Sequence, residues 1–141
     1  MEVVILIGLQ GSGKTTFYRE RLQPTHAHVS KDSMKGAKSK QARQDAMLEE
    51  LLAAGESLAV DNTNVRREDR EDIIALARKH GACVVGYFFD VPVGECIARN
   101  EQRAGRGRVP PAVIHTYAHR LERPTLDEGF DALHVVPTLE E

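Results

Sequence analysis

An unbroken apolar run, Val3-Val4-Ile5-Leu6-Ile7, is followed at once by Gly8-Leu9-Gln10-Gly11-Ser12-Gly13-Lys14-Thr15. The apolar run has strand length and no polar alternation, as expected of a strand buried on both faces of a parallel sheet. The residues after it fit the phosphate-binding loop pattern G-x-x-x-x-G-K-[ST], and Thr15 to Leu22 reads as the helix that such a loop must open. Glycines let successive backbone N–H groups turn inward around an anion, and the helix N-terminus adds its partial positive charge. Gly8, Gln10, Gly11, Ser12 and Gly13 are therefore candidates to cradle the phosphates of ATP. Lys14 is expected to reach the β- and γ-phosphates, and the Thr15 hydroxyl to hold Mg²⁺.

The rest of the chain alternates strand and helix patterns. Strands are expected at Val3 to Ile7, Ala27 to Ser30, Ser57 to Val60, Cys83 to Phe89 and Ala132 to Val136. Helices are expected at Gln41 to Ala54, with Ala42, Ala46, Met47 and Leu51 at helical spacing, and at Glu68 to His80, with Ile73, Ile74 and Ala77 buried. Two more span Val93 to Gln102 and Val113 to Leu121, the second with Val113, Ile114, Tyr117 and Leu121 on one face. Such alternation implies an α/β fold: a central parallel sheet of about five strands, joined by right-handed crossovers and flanked by helices on both faces. With no repeat, linker or low-complexity tract, residues 1–141 read as a single domain. Ligands in such sheets sit beyond the carboxyl ends of the strands, which places the glycine-rich loop, Asp32, Asp61 and Asp90 along one edge.

Composition narrows the function classes. No stretch approaches the ~20 apolar residues of a membrane span, and the N-terminal strand lacks the charged start and cleavage site of a signal peptide. Cys83 and Cys96 fit neither a disulfide framework nor a metal pair, so reduced, structural thiols and a cytoplasmic location are expected. The net charge of −2 argues against a general nucleic-acid coat protein. Its distribution is uneven: Lys31, Lys35, Lys38, Lys40 and Arg43 cluster around the single acid Asp32, and Arg99, Arg103, Arg106, Arg108, Arg120 and Arg123 around Glu101 and Glu122. Two local basic patches on an acidic body suit phosphate chemistry at one site, or are simply solvated surface.

Phosphoryl transfer needs a metal, positive charge around the moving group and an oriented nucleophile. Asp32, directly after the second strand, is the candidate to orient or deprotonate an acceptor hydroxyl; the alternative is a helix-capping Asp. Asp61 closes Leu58-Ala59-Val60 as a Walker-B-like acid would, either ordering a Mg²⁺-bound water with Thr15 or holding the next turn. Arg99 and Arg103 share a helix face, and with the Gly/Arg segment Ala104 to Arg108 they read as an Arg-rich lid over residues 99–110, or as a basic loop without a role. His26 and His28, two apart on a strand, form a metal site only if a third ligand exists. His80, His115, His119 and His134 read as structural or exposed.

These motifs together resemble the P-loop 5′-hydroxyl polynucleotide kinases, and most of all the kinase domain of animal polynucleotide kinase-phosphatases. The resemblance rests on Gly8 to Thr15, Ser30-Lys31-Asp32, Val60-Asp61-Asn62-Thr63-Asn64, Arg99-Asn100 with Arg103, Arg108-Val109-Pro110, and Arg123-Pro124-Thr125-Leu126-Asp127-Glu128-Gly129-Phe130. It implies a P-loop NTPase/kinase fold and an ATP- and Mg²⁺-dependent transfer of the γ-phosphoryl group to the 5′-hydroxyl end of DNA or RNA. It implies Asp32 as general base, Lys14 with Ser12 to Thr16 on the ATP phosphates and Mg²⁺, and Arg103 and Arg99 on phosphates from the lid. Lys31, Lys35, Asp61 and Asn64 become the implied acceptor-side residues. Two positions depart from the family: Lys31 replaces the usual arginine before the catalytic Asp, and Lys35 replaces an arginine that holds the acceptor's 3′-phosphate, leaving a point charge for a fork. With no phosphatase or ligase pattern in this chain, any end-healing partner is expected to be a separate protein. A small-molecule kinase acting on a sugar, nucleoside or antibiotic hydroxyl, and a non-catalytic ATP-binding module, are the two alternatives. A compact neutral pocket at Asp32, without Lys35 and Lys38 facing it, would favour the first of these.

Overall fold

The structure is a computed structural model that describes residues 1–103 and 108–136. Five strands, β1 (Glu2–Ile7), β2 (Ala27–Val29), β3 (Leu58–Asp61), β4 (Cys83–Phe89) and β5 (Ala132–Val136), form one sheet in the order β2-β3-β1-β4-β5. Every neighbouring pair is parallel. The helices are α1 (Lys14–Phe17), which continues as a π-helical turn over Tyr18–Leu22, then α2 (Lys40–Ala53), α3 (Arg67–Lys79), α4 (Val93–Glu101) and α5 (Pro111–Arg120). Short 3₁₀ turns occupy Lys31–Ser33 and Leu126–Glu128.

Side-chain alternation divides the core into two layers. Val3, Ile5 and Ile7 of β1 join Val60, Phe88 and the inner faces of α2 and α3. Val4 and Leu6 join Ala59, Phe89 and the residues of α1, α4 and α5 on the other side. Val3 to Ile7 are all within 1% of full burial, so this one strand contributes roughly 1.5–3 kcal/mol per side chain to the hydrophobic core. The doubly covered α/β sheet is therefore the observed architecture.

Several boundaries and faces differ from expectation. β3 runs one residue further than Val60 and takes Asp61 into the sheet. The helix after the glycine-rich loop changes to i→i+5 bonding at Tyr18, with Gln23 N donating to Tyr18 O at 2.8 Å. On α2, Ala42 and Ala46 face solvent, and Gln44, Leu48 and Leu52 are buried instead. Cys83 is exposed and Cys96 buried, both as free thiols. The Gly/Arg segment expected in the lid lies at 104–107, outside the described residues.

Topology positions the site. In the β1–β3 register Leu6 lies beside Asp61, and in the β2–β3 register Val29 lies beside Val60. The glycine-rich loop leaving β1, the acid ending β3 and the turn leaving β2 are thus three adjacent exits at one edge of the sheet.

Candidate active site

The loop after β1 needs its glycines at two positions for different reasons. Gly11 (φ +84°) has no room for a side chain, because a Cβ there would lie 2.5 Å from the Cys96 carbonyl oxygen; Gly13 (φ +101°) is the left-handed residue that starts α1. Gly8 N donates to Thr63 O at 3.0 Å, tying the loop to the turn after β3. Lys14 folds back into the loop, its Nζ donating to Gly8 O at 3.0 Å and Leu9 O at 2.9 Å. Burial lowers the Lys14 pKa to about 8; Asp61 opposes that shift and Arg103 reinforces it. Ser12 Oγ and Gln10 Oε1 are buried with no hydrogen-bond partner among the described residues, as polar atoms reserved for a ligand would be.

Asp61 receives two side-chain donors on one oxygen. Thr15 Oγ1 donates to Asp61 Oδ2 at 2.8 Å, and His28 Nε2 lies 2.8 Å from the same atom. Burial alone would raise the Asp61 carboxyl, but these two bonds and the Lys14 charge outweigh it and hold the group below the usual carboxylate range. An ionised carboxylate only accepts, so Nε2 carries the imidazole proton. A hydroxyl and a carboxylate side by side at a phosphate loop are hard oxygen donors that fit Mg²⁺. Sequence reasoning placed Thr15 and Asp61 here but missed His28. His26 does not join His28: it turns to Glu2 at 2.8 Å, and among the described residues no group of three or more His, Cys, Asp or Glu is arranged to hold a metal.

Asp32 sits in the turn leaving β2, exposed. Ser30 caps that turn, its Oγ accepting from Asp32 N at 3.2 Å, so capping does not occupy the Asp32 carboxylate. Asn62 locks the turn in place: its Oδ1 accepts from Lys31 N at 2.9 Å and its Nδ2 donates to Gln44 Oε1 at 2.7 Å. Asn64, at φ +49°, turns its amide inward to Leu6 O at 2.8 Å and so braces the end of β1.

Two clefts meet at Asp32. One, about 80 Å³, is lined by Gly11, Gly13, Lys14, Thr15, Asp61 and Arg103. The other, about 310 Å³, continues past Lys31, Gln41, Gln44 and Asn64 to Arg66, Tyr117 and Arg120. Gln10, Asp32, Asn62 and Thr63 line both. Lys35 is not with them; it opens on a neighbouring cleft with Met34, Arg43 and Met47. Arg120 was legible only as a member of the second basic patch, and Arg66 was not anticipated, because an arginine at a helix end reads as solvated surface. Arg99 points at the loop, 3.4 Å from Gly11 O, and is paired with Glu95. Arg108 pairs with Glu101, and Asn100 bonds Val109 in both directions, its Oδ1 accepting from Val109 N at 2.9 Å. Thr16 lines a further groove that starts at Ser12 and Gly13 of the loop and runs past Phe17, Tyr87 and His134. Asp90 lines neither central cleft; it is exposed and 3.4 Å from Arg123.

The Thr125-to-Glu128 turn supports the site from behind. Arg70 of α3, fully buried, pairs with Glu128 through Nε at 2.8 Å and Nη2 at 2.9 Å. Its Nη1 donates to Asn64 O at 2.8 Å and its Nη2 to Glu122 O at 3.1 Å. Glu122 N in turn donates to Val65 O at 2.8 Å.

Among known proteins, the chain is 29% identical over 140 residues to the Arabidopsis thaliana transcription factor bHLH140, covering 93% of this chain and 15% of that one. It is 26% identical over 149 residues to the bifunctional polynucleotide phosphatase/kinase of Schizosaccharomyces pombe, covering 96% of this chain and 33% of that one. It therefore spans a third or less of these relatives. A fungal RNA kinase superposes with a TM-score of 0.74 at 18% identity over 99% of this chain and 77% of the other. A sugar kinase from Janibacter sp. superposes with a TM-score of 0.72 at 19% identity, over 97% and 85%. These likenesses establish the P-loop kinase fold. No helix among the described residues is long and apolar enough to cross a membrane. The model of the family described as AAA domain (AAA_33) matches residues 3–124, and the chain belongs to that family.

Proposed function

We propose that this protein is an ATP-dependent kinase that transfers the γ-phosphoryl group to the 5′-hydroxyl end of a polynucleotide. The observation that carries the reading is the position of Asp32, at the joint between the phosphate-loop cleft and the larger cleft beside it. A base at such a joint faces a donor phosphate on one side and an acceptor hydroxyl on the other. In this reading Gly8, Gln10, Gly11, Ser12, Gly13 and Thr16 hold the nucleotide, with Lys14, Arg99 and Arg103 offsetting charge on its phosphates. Thr15 and Asp61 would hold Mg²⁺, which when bound would supply charge neutralisation at the phosphates. Asp32 takes the proton of the 5′-hydroxyl as its oxygen attacks phosphorus and ADP departs. Lys31, Arg66 and Arg120 line the acceptor cleft, and Lys35 the next cleft along, so cations follow the path that an acceptor backbone would take.

The relatives support this reading, since one is a polynucleotide phosphatase/kinase and one solved neighbour is an RNA kinase. A second reading, a kinase of a small polyol or nucleoside, is favoured by one observation: Lys35 does not face Asp32, and the amide-lined cleft of about 310 Å³ suits a single sugar. Lys31, Arg66 and Arg120 outnumber Asp32 and Asp69 in the lining of that cleft, which weighs toward a phosphorylated acceptor. The two separate in one assay, γ-phosphoryl transfer from ATP to 5′-hydroxyl DNA, 5′-hydroxyl RNA, a nucleoside 3′-phosphate and a panel of free sugars. Transfer to the oligonucleotides that vanishes in Asp32→Ala, with ATP binding retained, is the expected result. Transfer to sugars alone would transfer the assignment to the second reading.

A further inference from the structure

The phosphate loop, Asp32 and the lid arginines leave one polar side chain at the site without a role. His28 lies on the edge strand β2, opposite Ala59 in the parallel register, and so on the same sheet face as Asp61 two residues further along β3. Its Nε2 is 2.8 Å from Asp61 Oδ2. One face of the ring packs in a tilted arrangement against Tyr18, with centroids 4.4 Å apart and planes at 32°. Tyr18 is itself fixed, because its hydroxyl donates to the His26 carbonyl at 2.6 Å. Tyr18 is also where α1 widens into π-helical bonding, an irregularity that recurs at functional sites.

These contacts constrain the imidazole by stacking on one side and aim its N–H at one carboxylate oxygen. Thr15 Oγ1 donates to that same oxygen, so its hydrogen is committed to Asp61 while its lone pairs stay available to accept or ligate. With two donors on Oδ2, the Asp61 carboxylate is held in one rotation. Its placement beside the phosphate loop is then set before any ligand arrives. Without His28, a nearly fully buried carboxylate would keep Thr15 alone to orient it, and Thr15 cannot both anchor Asp61 and adjust to a cation.

We infer that His28 is a positioning residue: its Nε2–H fixes the Asp61 carboxylate, and with it the Thr15 hydroxyl, in the arrangement that a divalent cation needs beside the bound nucleotide. The inference rests on the reading of Thr15 and Asp61 as the metal side of a nucleotide site. It is the protein analogue of the outer partner that orients a ligating group, whose removal commonly costs 10- to 100-fold in metal affinity.

The test is binding, without acceptor or turnover. Affinity for Mn²⁺ is measured by electron paramagnetic resonance in the presence of ADP, and affinity for ADP is measured separately in EDTA, for wild type, His28→Leu and His28→Gln. The expected result is a loss of roughly tenfold or more in Mn²⁺ affinity for His28→Leu, with ADP affinity in EDTA unchanged. His28→Gln, which keeps an N–H donor, regains most of the loss. Should His28→Leu not fold, the intermediate Mn²⁺ affinity of His28→Gln against an unchanged ADP affinity carries the same test. Equal Mn²⁺ affinity in all three proteins would overturn the inference, as would a parallel fall in metal-free ADP affinity, which marks a merely structural histidine. If wild type binds ADP but no Mn²⁺ with it, the reading of Thr15 and Asp61 as a metal site fails and takes this role for His28 with it.

Discussion

At the scale of single residues, the ammonium of Lys14 does two incompatible things. It sits buried on the carbonyls of its own loop, and it is the group expected to meet phosphate. Burial lowers its pKa from the usual 10.5 to about 8. The unfolded chain therefore binds the extra proton between about pH 8 and 10.5, so this group makes the free protein more stable as pH rises through that window, by an amount on the order of 3 kcal/mol. Below about pH 8 both states carry the proton and the penalty is fully present. A bound polyphosphate reverses the bias, since nearby negative charge favours the ammonium. At pH 8, ATP binding is accordingly expected to take up about half a proton, and ATP affinity to fall as pH rises further. Calorimetric titration in two buffers of different ionisation heat measures the uptake, and Lys14→Met should abolish it. Zero uptake in the wild type would mean that the loop carbonyls already hold Lys14 fully charged. A second residue-scale outcome concerns Gly11, where φ is +84° and a Cβ would meet the Cys96 carbonyl at 2.5 Å. Gly11→Ala must push the loop off α4, so nucleotide affinity should fall more than tenfold with only a modest change in melting temperature.

At the scale of elements, the turn after β3 is held by pieces far from it in sequence. Arg70 and Glu128, fully buried or nearly so, lock α3 to the 3₁₀ turn at Leu126–Glu128, and Arg70 also donates to the Asn64 carbonyl. Removing either partner leaves an uncompensated buried charge, so Arg70→Ala or Glu128→Ala should each lose about 3–5 kcal/mol in urea unfolding. The double variant Arg70→Met, Glu128→Leu should recover most of that stability, because apolar replacement of a buried pair is often neutral. Its acceptor KM should nonetheless stay raised, since Asn64 O has lost its donor; a KM restored along with stability would reduce the pair to packing. This clamp was hidden in the sequence for a physical reason. Arg67-Glu68-Asp69-Arg70-Glu71-Asp72 reads as a solvated helix face, and only a carboxylate 58 residues away makes Arg70 interior. Gln44 is hidden in the same way, buried because the Asn62 amide meets it across the turn. By contrast, β4 and β5 have the bounds expected of them, β4 because local patterning decides a buried strand and β5 although it is the half-exposed edge of the sheet. The phosphate loop was fully legible, as its chemistry is local. His28 was not, since its partners come from α1 and β3.

At the scale of the whole molecule, a net charge of −2 coexists with cations lining the larger cleft at Asp32 and the cleft beside Lys35. Net repulsion of a polyanion and local attraction at one edge together predict contacts that are few and confined to that edge. Lys31, Arg66 and Arg120 line the cleft itself, and Lys35 and Arg43 the adjoining one. An oligonucleotide held by two or three of these should show a log–log salt slope of about −1.4 to −2.1, using about −0.7 per phosphate contact for a single strand. A nucleoside 3′-phosphate, too short to reach Lys35 and Arg43, should show a slope closer to −1. Arg66 is partly neutralised by Glu68 at 3.0 Å and Asp69 at 3.3 Å, which leaves Arg120, stacked over Tyr117, as the stronger contact within the cleft. Arg120→Ala should therefore flatten the slope for both acceptors, and Lys35→Ala with Arg43→Ala only for the oligonucleotide. The quantity to follow is kcat/KM from 50 to 300 mM salt at saturating ATP, with a free sugar as the uncharged control. Slopes that do not differ between the long and the short acceptor would confine substrate to the single cleft at Asp32, and the molecule would then be a kinase of nucleotides or sugars with no track for a strand.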